Sequence, residues 1–296
     1  MTLAARKDLH RRQRRWAESA GIALDARGYL REEAANFRVP LSPRACAGLD
    51  RGSERTPYPS RPARTWALHS SAALVANVFD HWSTHDPRPL LRALGRSETH
   101  AELTFEEPLP TGLEGDPPAA DVALRFADGG LLAIESKFSE WLVRRPPNKA
   151  EFKTKYFSQP WWELRGLPRC QALANDIQSG ARRFKWLHAA QLLKHALGLA
   201  TRVPRAGALC YIYYDWPTRE AAEHRAEIES FAAAIDAALP FTALSHQSLF
   251  AALSSQPAVD GAYLEYLRTR YFADARSASG LTQFSPANRA KSRSVE

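Results

Sequence analysis

The chain has 296 residues, 45% hydrophobic and 24% charged, a composition that argues against disorder and allows one large core domain. Its 40 Lys and Arg against 32 Asp and Glu give a formal charge of +8, which favours a polyanionic partner without specifying one. Cys46, Cys170 and Cys210 lie far apart with no CxxC pair, which argues against a zinc site. No apolar run approaches the roughly 18 residues that span a bilayer, and Arg6, Lys7 and Asp8 interrupt the opening segment, so a cytoplasmic protein without a membrane partner is expected.

The predicted elements begin with a helix over 5–20. Residues 1–15 carry six Arg or Lys and one Asp, which suits either a solvated face or flexible arm, or an arm that contacts phosphates. Residues 38–64, rich in Pro, Ser, Gly and Arg, read as a connector. Leu74, Val78 and Trp82 repeat at four-residue steps and predict a helix over 69–82, capped by Ser70 or Ser71. A short helix is predicted at 90–94, before Gly95.

The period then changes to two. Residues 101–107, 120–127 and 131–138 predict three strands in a meander, with the second turn at Asp128-Gly129-Gly130. Residues 144–162 read as a basic insertion. Further on come a helix over 180–199, an apolar strand at 207–214, a helix over 218–238, an edge strand at 241–245 and short helices at 247–253 and 258–272. The expected class is α/β, with a central mixed sheet of four to five strands flanked by helices. The expected organisation is a basic helix and connector over 1–65, a core domain over 66–273 and a flexible tail over 274–296.

The chemistry concentrates on two of the strands. Side chains two apart on a strand share a face, so Glu135 and Lys137 are neighbours, while Ser136 turns to the apolar side. A three-residue turn at 128–130 sets Ala127 opposite Leu131, Asp121 opposite Lys137 and Ala123 opposite Glu135. Asp121 therefore joins the Glu135/Lys137 face. Two carboxylates and an ammonium on a mostly apolar strand pair suit a Mg²⁺ site, although a surface hairpin with ordinary ion pairs would show the same spacing.

With Asp121 ahead of one apolar strand and Ile134-Glu135-Ser136-Lys137 in the next, the region resembles the PD-(D/E)xK nuclease superfamily, the restriction-endonuclease-like fold. The order of elements over about 66–216 agrees. A closer similarity is to a bacterial group of restriction endonucleases. It rests on the Ser70-Ser71 to Asn77 helix, Phe105-Glu106, Asp121, the run from Ile134 to Glu140, the stretch from Gln191 to His195, and the apolar strand ending near Tyr214. Ala120 stands where the superfamily pattern has proline.

The resemblance implies Mg²⁺, for which Mn²⁺ can substitute, held by Asp121, Glu135 and the backbone carbonyl of Ser136. It implies Lys137 orienting or deprotonating the attacking water or stabilising the phosphate, and cleavage leaving 5′-phosphate ends. A fourth acid is expected from Glu106 or Glu107. The Phe-Glu match favours Glu106, but strand alternation sets the two on opposite faces. Gln191 is expected near the metal water or phosphate, with Lys194 a weaker choice. His195 is expected to be a packing residue. Arg144, Arg145, Lys149, Lys153, Lys155 and Lys194 are expected along the nucleic-acid track. Trp161 and Trp162 either stack on bases or anchor the insertion.

These implications make the chain a DNA hydrolase, with double-stranded DNA favoured, a homodimer for paired cuts and a restriction or defence role. The alternatives are an inactive binding protein with the same fold, or a repair or recombination nuclease. No GxxxxGK[ST] loop occurs, so no nucleotide cofactor is expected on this chain.

Overall fold

The computed structural model describes residues 2–59, 62–143, 151–216 and 218–272. The period-2 segments form β1 (Glu102–Pro108), β2 (Ala119–Arg125) and β3 (Leu131–Lys137), an antiparallel meander. Two further strands, β4 (Gly207–Tyr213) and β5 (Phe241–Ser245), run parallel to β3. The sheet order is β1-β2-β3-β4-β5. Every residue of β3 and β4 is buried, the pattern of strands covered on both faces.

Among the described residues, the α-helices α1 (Thr2–Ser19), α2 (Pro43–Arg51), α3 (Ser71–Phe79) and α4 (Arg88–Ala93) precede the sheet. Between β3 and β4 lie α5 (Pro168–Ser179) and α6 (Ala189–Arg202). After β4 come α7 (Arg219–Ala234) and, beyond β5, α8 (His246–Ser254) and α9 (Gly261–Tyr271). The Ser70 hydroxyl caps α3 by accepting the Ala73 N–H, and Thr218 caps α7 by accepting that of Ala221. Among the described residues, no helix is long and apolar enough to cross a membrane.

Only the second half of the helix expected over 180–199 forms: residues 181–188 are loop, and α5, which was not expected, lies wholly ahead of that range. Gly180 ends α5 in the left-handed region (φ 79°), and α6 begins only at Ala189. The intervening loop is held by the Glu227 carboxylate, which accepts the N–H groups of Lys185, Trp186 and Leu187 at 2.7–2.9 Å. Phe184 and Leu187 resemble a helical stripe in sequence because they pack inward from this loop.

The register of β2 on β3 also differs from expectation. Arg125 pairs with Leu131 and Val122 with Ile134. The Phe126 N–H donates to the Gly130 carbonyl at 2.9 Å, so the tight loop is Ala127–Gly129, with Gly129 at φ 86°. The slip is two residues, so every side chain keeps its face. Asp121 now lies across from Glu135 instead of Lys137.

The described residues ahead of residue 66 pack on the sheet domain. Leu9 and Ala45 belong to the same core as the strands. The Gln13 amide donates to the Arg270 carbonyl, tying α1 to α9. The Asn77 amide of α3 donates to the Asn36 carbonyl and accepts the Arg38 N–H. The flexible-arm reading of the first helix does not hold for its docked portion.

Gly198 marks the closest approach of α6 to the end of β1. A Cβ there would sit 2.5 Å from the Leu109 carbonyl oxygen. Alanine normally gains about 1 kcal/mol over glycine in a helix. Gly198→Ala should nevertheless destabilise the fold by about 1–3 kcal/mol through the clash, read as a lower urea midpoint. An unchanged or higher midpoint would contradict this packing.

Candidate active site

Glu135 and Lys137 reach one face of β3 because they are two residues apart, and Lys137 Nζ is ion-paired to Glu135 Oε1. The Glu135 side chain is fully buried and Lys137 nearly so. Asp121, near the start of β2, accepts the Ser136 backbone N–H on Oδ2 at 2.6 Å. This contact begins where the β2–β3 ladder stops. The Lys137 carbonyl is taken by Tyr214 on the β4 side, so strand geometry turns the Ser136 carbonyl the other way, towards β2 and Asp121. The Ser136 hydroxyl points to the opposite face and bonds His246 Nε2 at 2.9 Å.

Glu106 completes a row across three strands. The pairs Phe105–Val122 and Glu107–Ala120 bracket it, which places it across from Asp121. Its backbone is left-handed (φ 47°), an unusual conformation for a non-glycine residue. Arg51 holds it there by donating to its carbonyl at 3.2 Å. Gly52 makes room, since a Cβ at that position would meet the Glu106 carboxyl at 2.6 Å. Glu107 is buried and paired with Arg202 at 2.6 Å and Arg125 at 3.3 Å, so Glu106 is the acid of the two that faces the site.

Glu135 is buried directly behind Lys137, while Asp121, Lys137 and Glu106 border an open cleft of about 750 Å³. Its walls include Asp121, Lys137, Glu106 and Gln191, together with Glu54, Arg64 and His69 from the segment ahead of the sheet. Glu140 also lines it, and its carboxylate accepts the N–H groups of Phe138 and Ser139, pinning the chain just past Lys137. His195 sits one helical turn beyond Gln191 on α6. It is fully buried, with Nδ1 3.4 Å from Glu135 Oε2.

The electrostatics follow from crowding like charges in a poorly hydrated place. Burial and the neighbouring Glu135 raise Asp121 to about 7. Burial, then Asp121, Glu54 and Glu135, raise Glu106 to about 9. Burial also raises Glu135, opposed by Lys137. Burial disfavours the Lys137 ammonium, but Glu135, Asp121 and Glu140 outweigh it and hold the group above its ordinary range. Burial lowers His195 to about 4, so its ring is neutral at neutral pH.

A divalent cation fits this donor set. Both Glu135 oxygens are buried without an aligned hydrogen-bond donor, and three repelling acids share one row. Among the described residues no three His, Cys, Asp or Glu groups already close on a single point. Mg²⁺ needs no such cage, because one or two carboxylates with a carbonyl and waters suffice.

The charged residues of this site, though not Arg51 and Gly52 behind Glu106, fall within a family match. Residues 53–272 match the family model described as restriction endonuclease associating with ARP. The chain belongs to this REase-ARP family. The REase-ARP match includes all five strands, Glu106, Asp121, Glu135, Lys137 and Gln191, and it starts after α1 and α2. With its mixed sheet flanked by helices, the domain has a restriction-endonuclease-like core. No curated protein and no solved structure matches the chain.

Other expected positions in this REase-ARP chain fall elsewhere. Lys194 donates to the Glu151 carbonyl at 2.9 Å and lies over Phe152, so it fastens the insertion instead of lining the cleft. Lys155 bonds the Glu114 carbonyl and lies over Tyr156. Lys153 is exposed, and Arg144, Arg145 and Lys149 lie outside the described residues, as does the tail at 274–296. Trp162 is fully buried with its indole N–H on the Leu193 carbonyl, and Trp161 is half-buried, so this pair anchors the insertion. Sequence reasoning missed Glu54, Arg64 and His69, which carry no periodic signal. It also missed the nearness of His195 to Glu135, for which the four-residue step from Gln191 was the available clue.

Proposed function

We propose that this protein is a divalent-metal-dependent endonuclease that hydrolyses DNA phosphodiester bonds, in a restriction or defence role in the cytoplasm. The observation that carries the reading is the buried Glu135–Lys137 pair facing Asp121 at an open cleft. Asp121, Glu135 and the Ser136 carbonyl would hold Mg²⁺ or Mn²⁺. The bound ion would supply an activated water and draw charge from the scissile phosphate. Lys137, kept protonated by its carboxylate neighbours, acts as a donor: it orients the attacking water and stabilises charge on the phosphate oxygens. This charge state favours the donor role over deprotonation of the water. Glu106 adds a carboxyl opposite Asp121 that would become a carboxylate once a bound cation displaces its proton, and Gln191 offers an amide to the water or phosphate from α6. The family's description supports a restriction-type role. Paired cuts on a duplex favour a homodimer.

The test is incubation of supercoiled plasmid, linear duplex and single-stranded DNA with Mg²⁺, Mn²⁺ or EDTA. Nicking and linearisation of plasmid with Mg²⁺ or Mn²⁺ but not with EDTA is expected, with 5′-phosphate ends that ligate directly. Tight DNA binding without cleavage under either metal would favour a binding protein that keeps the fold without the activity.

A further inference from the structure

The family match starts at residue 53, so α1 lies outside it, yet α1 docks beside the cleft. Its inner face is set by Leu9, Gln13 and Ala17, all buried at four-residue spacing. Arg12 belongs to that docking, bonded to Asp8 at 2.6 Å and lying over the Trp216 ring. The opposite face carries Lys7, Arg11, Arg14 and Arg15, all exposed, before Glu18 closes the stripe.

Neither fold nor helix chemistry accounts for this stripe. Cations help a helix in its last turn, but the last turn of α1 has none. Like charges four residues apart, Lys7 with Arg11 and Arg11 with Arg15, oppose helix formation. Asp8 answers only part of the charge through Arg11 and Arg12.

Three contacts place the stripe at the cleft rim. The His10 ring stacks on His69 at 3.9 Å, and His69 lines the cleft. The Arg14 guanidinium lies against Gly28, next to cleft-lining Tyr29. The helix also touches the 3-10 turn Glu140–Leu142, whose Glu140 is in the cleft wall. On the helical wheel, His10 borders Lys7 and Arg14, so the basic face starts where the cleft wall ends.

Resting on the nuclease reading above, we infer that the exposed face of α1 is a phosphate track that carries the DNA duplex backbone flanking the cut. A row of cations four residues apart spans about two helical turns and meets several successive phosphates. Such contacts hold the duplex in place without reading sequence.

The test is fluorescence anisotropy of a labelled duplex of roughly 30 base pairs in EDTA, over a range of salt. Wild type is compared with the quadruple variant Lys7→Gln/Arg11→Gln/Arg14→Gln/Arg15→Gln. A charge-matched control is Arg44→Gln/Arg88→Gln/Arg219→Gln/Arg268→Gln. Circular dichroism and melting verify that all three are folded. The slope of log affinity against log salt should fall by about 0.9 for each phosphate that α1 no longer neutralises, about 2–4 in all, and binding should weaken at least about tenfold at low salt. The control variant should keep most of the wild-type slope. Equal losses in both variants would reduce the effect to net charge and overturn the track, as would an unchanged slope in the α1 variant. The nuclease reading fails separately: absence of metal-dependent cleavage by wild type would sink it even if the α1 variant lost its salt slope.

Discussion

Lys137→Met is expected to abolish cleavage and to destabilise the fold by about 3–5 kcal/mol, because it leaves the fully buried Glu135 carboxylate without its cation. A charge removed from water is stabilised only by its partner, so losing one partner costs more than losing both. The double variant Glu135→Gln/Lys137→Met should therefore recover most of the stability while staying inactive. Activity should fall at least about 10²-fold in all of these variants, the scale for loss of one preorganised charged group. The single variant should also recover stability on acidification. Burial raises the folded-state pKa of Glu135, so its proton-bound form favours the native state, and that contribution is lost as pH rises through the folded value. Urea midpoints and plasmid cleavage measured on the same preparations separate the two effects. Full cleavage by Lys137→Met, or a double variant no more stable than the single, would contradict the assignment.

The second large effect links pH to the divalent ion. Asp121 and Glu106 are held at about 7 and about 9 in the folded protein, above ordinary carboxylates. Raised folded values mean that the native state binds these protons more tightly than the unfolded chain. Without divalent ions, stability from these groups is fully present below about pH 4 and is lost as pH rises through about 7 and then about 9. Mg²⁺ binding displaces the protons, so its stabilisation should be small at about pH 5 and large at about pH 8.5. At a concentration about 100-fold above Kd it should contribute about 2.7 kcal/mol. Asp121→Asn should raise the metal-free melting temperature at the higher pH and remove most of the Mg²⁺ shift. Differential scanning calorimetry with and without Mg²⁺ measures both. An equal Mg²⁺ shift at the two pH values, or an undiminished shift in Asp121→Asn, would rule out these carboxylates as the ligands.

The strand faces were legible because period-2 alternation is local covalent geometry. Asp121, Glu135 and Lys137 stay on one face whether the hairpin loop is Asp128–Gly130 or Ala127–Gly129, since the two registers differ by an even number of residues. The cap of α3 was legible as one of two adjacent serines, because a cap depends on a hydroxyl and an N–H three residues away, and Ser70 takes it. The α5–α6 break was not. Phe184 and Leu187 imitate a helical stripe, and the loop that holds them depends on Glu227, about 40 residues later in the chain.

By itself, then, the chain's order of residues determined the strand faces, the charged trio and the class of sheet, all of which follow from interactions within a few residues. Tertiary structure decided the rest of the site. Glu106 rather than Glu107 faces the cleft because Arg51, Gly52 and Arg202, all distant in sequence, hold one left-handed and pair the other. The same kind of distant packing brings His195 to Glu135, walls the cleft with Glu54, Arg64 and His69, and turns Lys155 and Lys194 into loop fasteners. Such choices are settled by which surfaces exclude water together, and no local spacing encodes that.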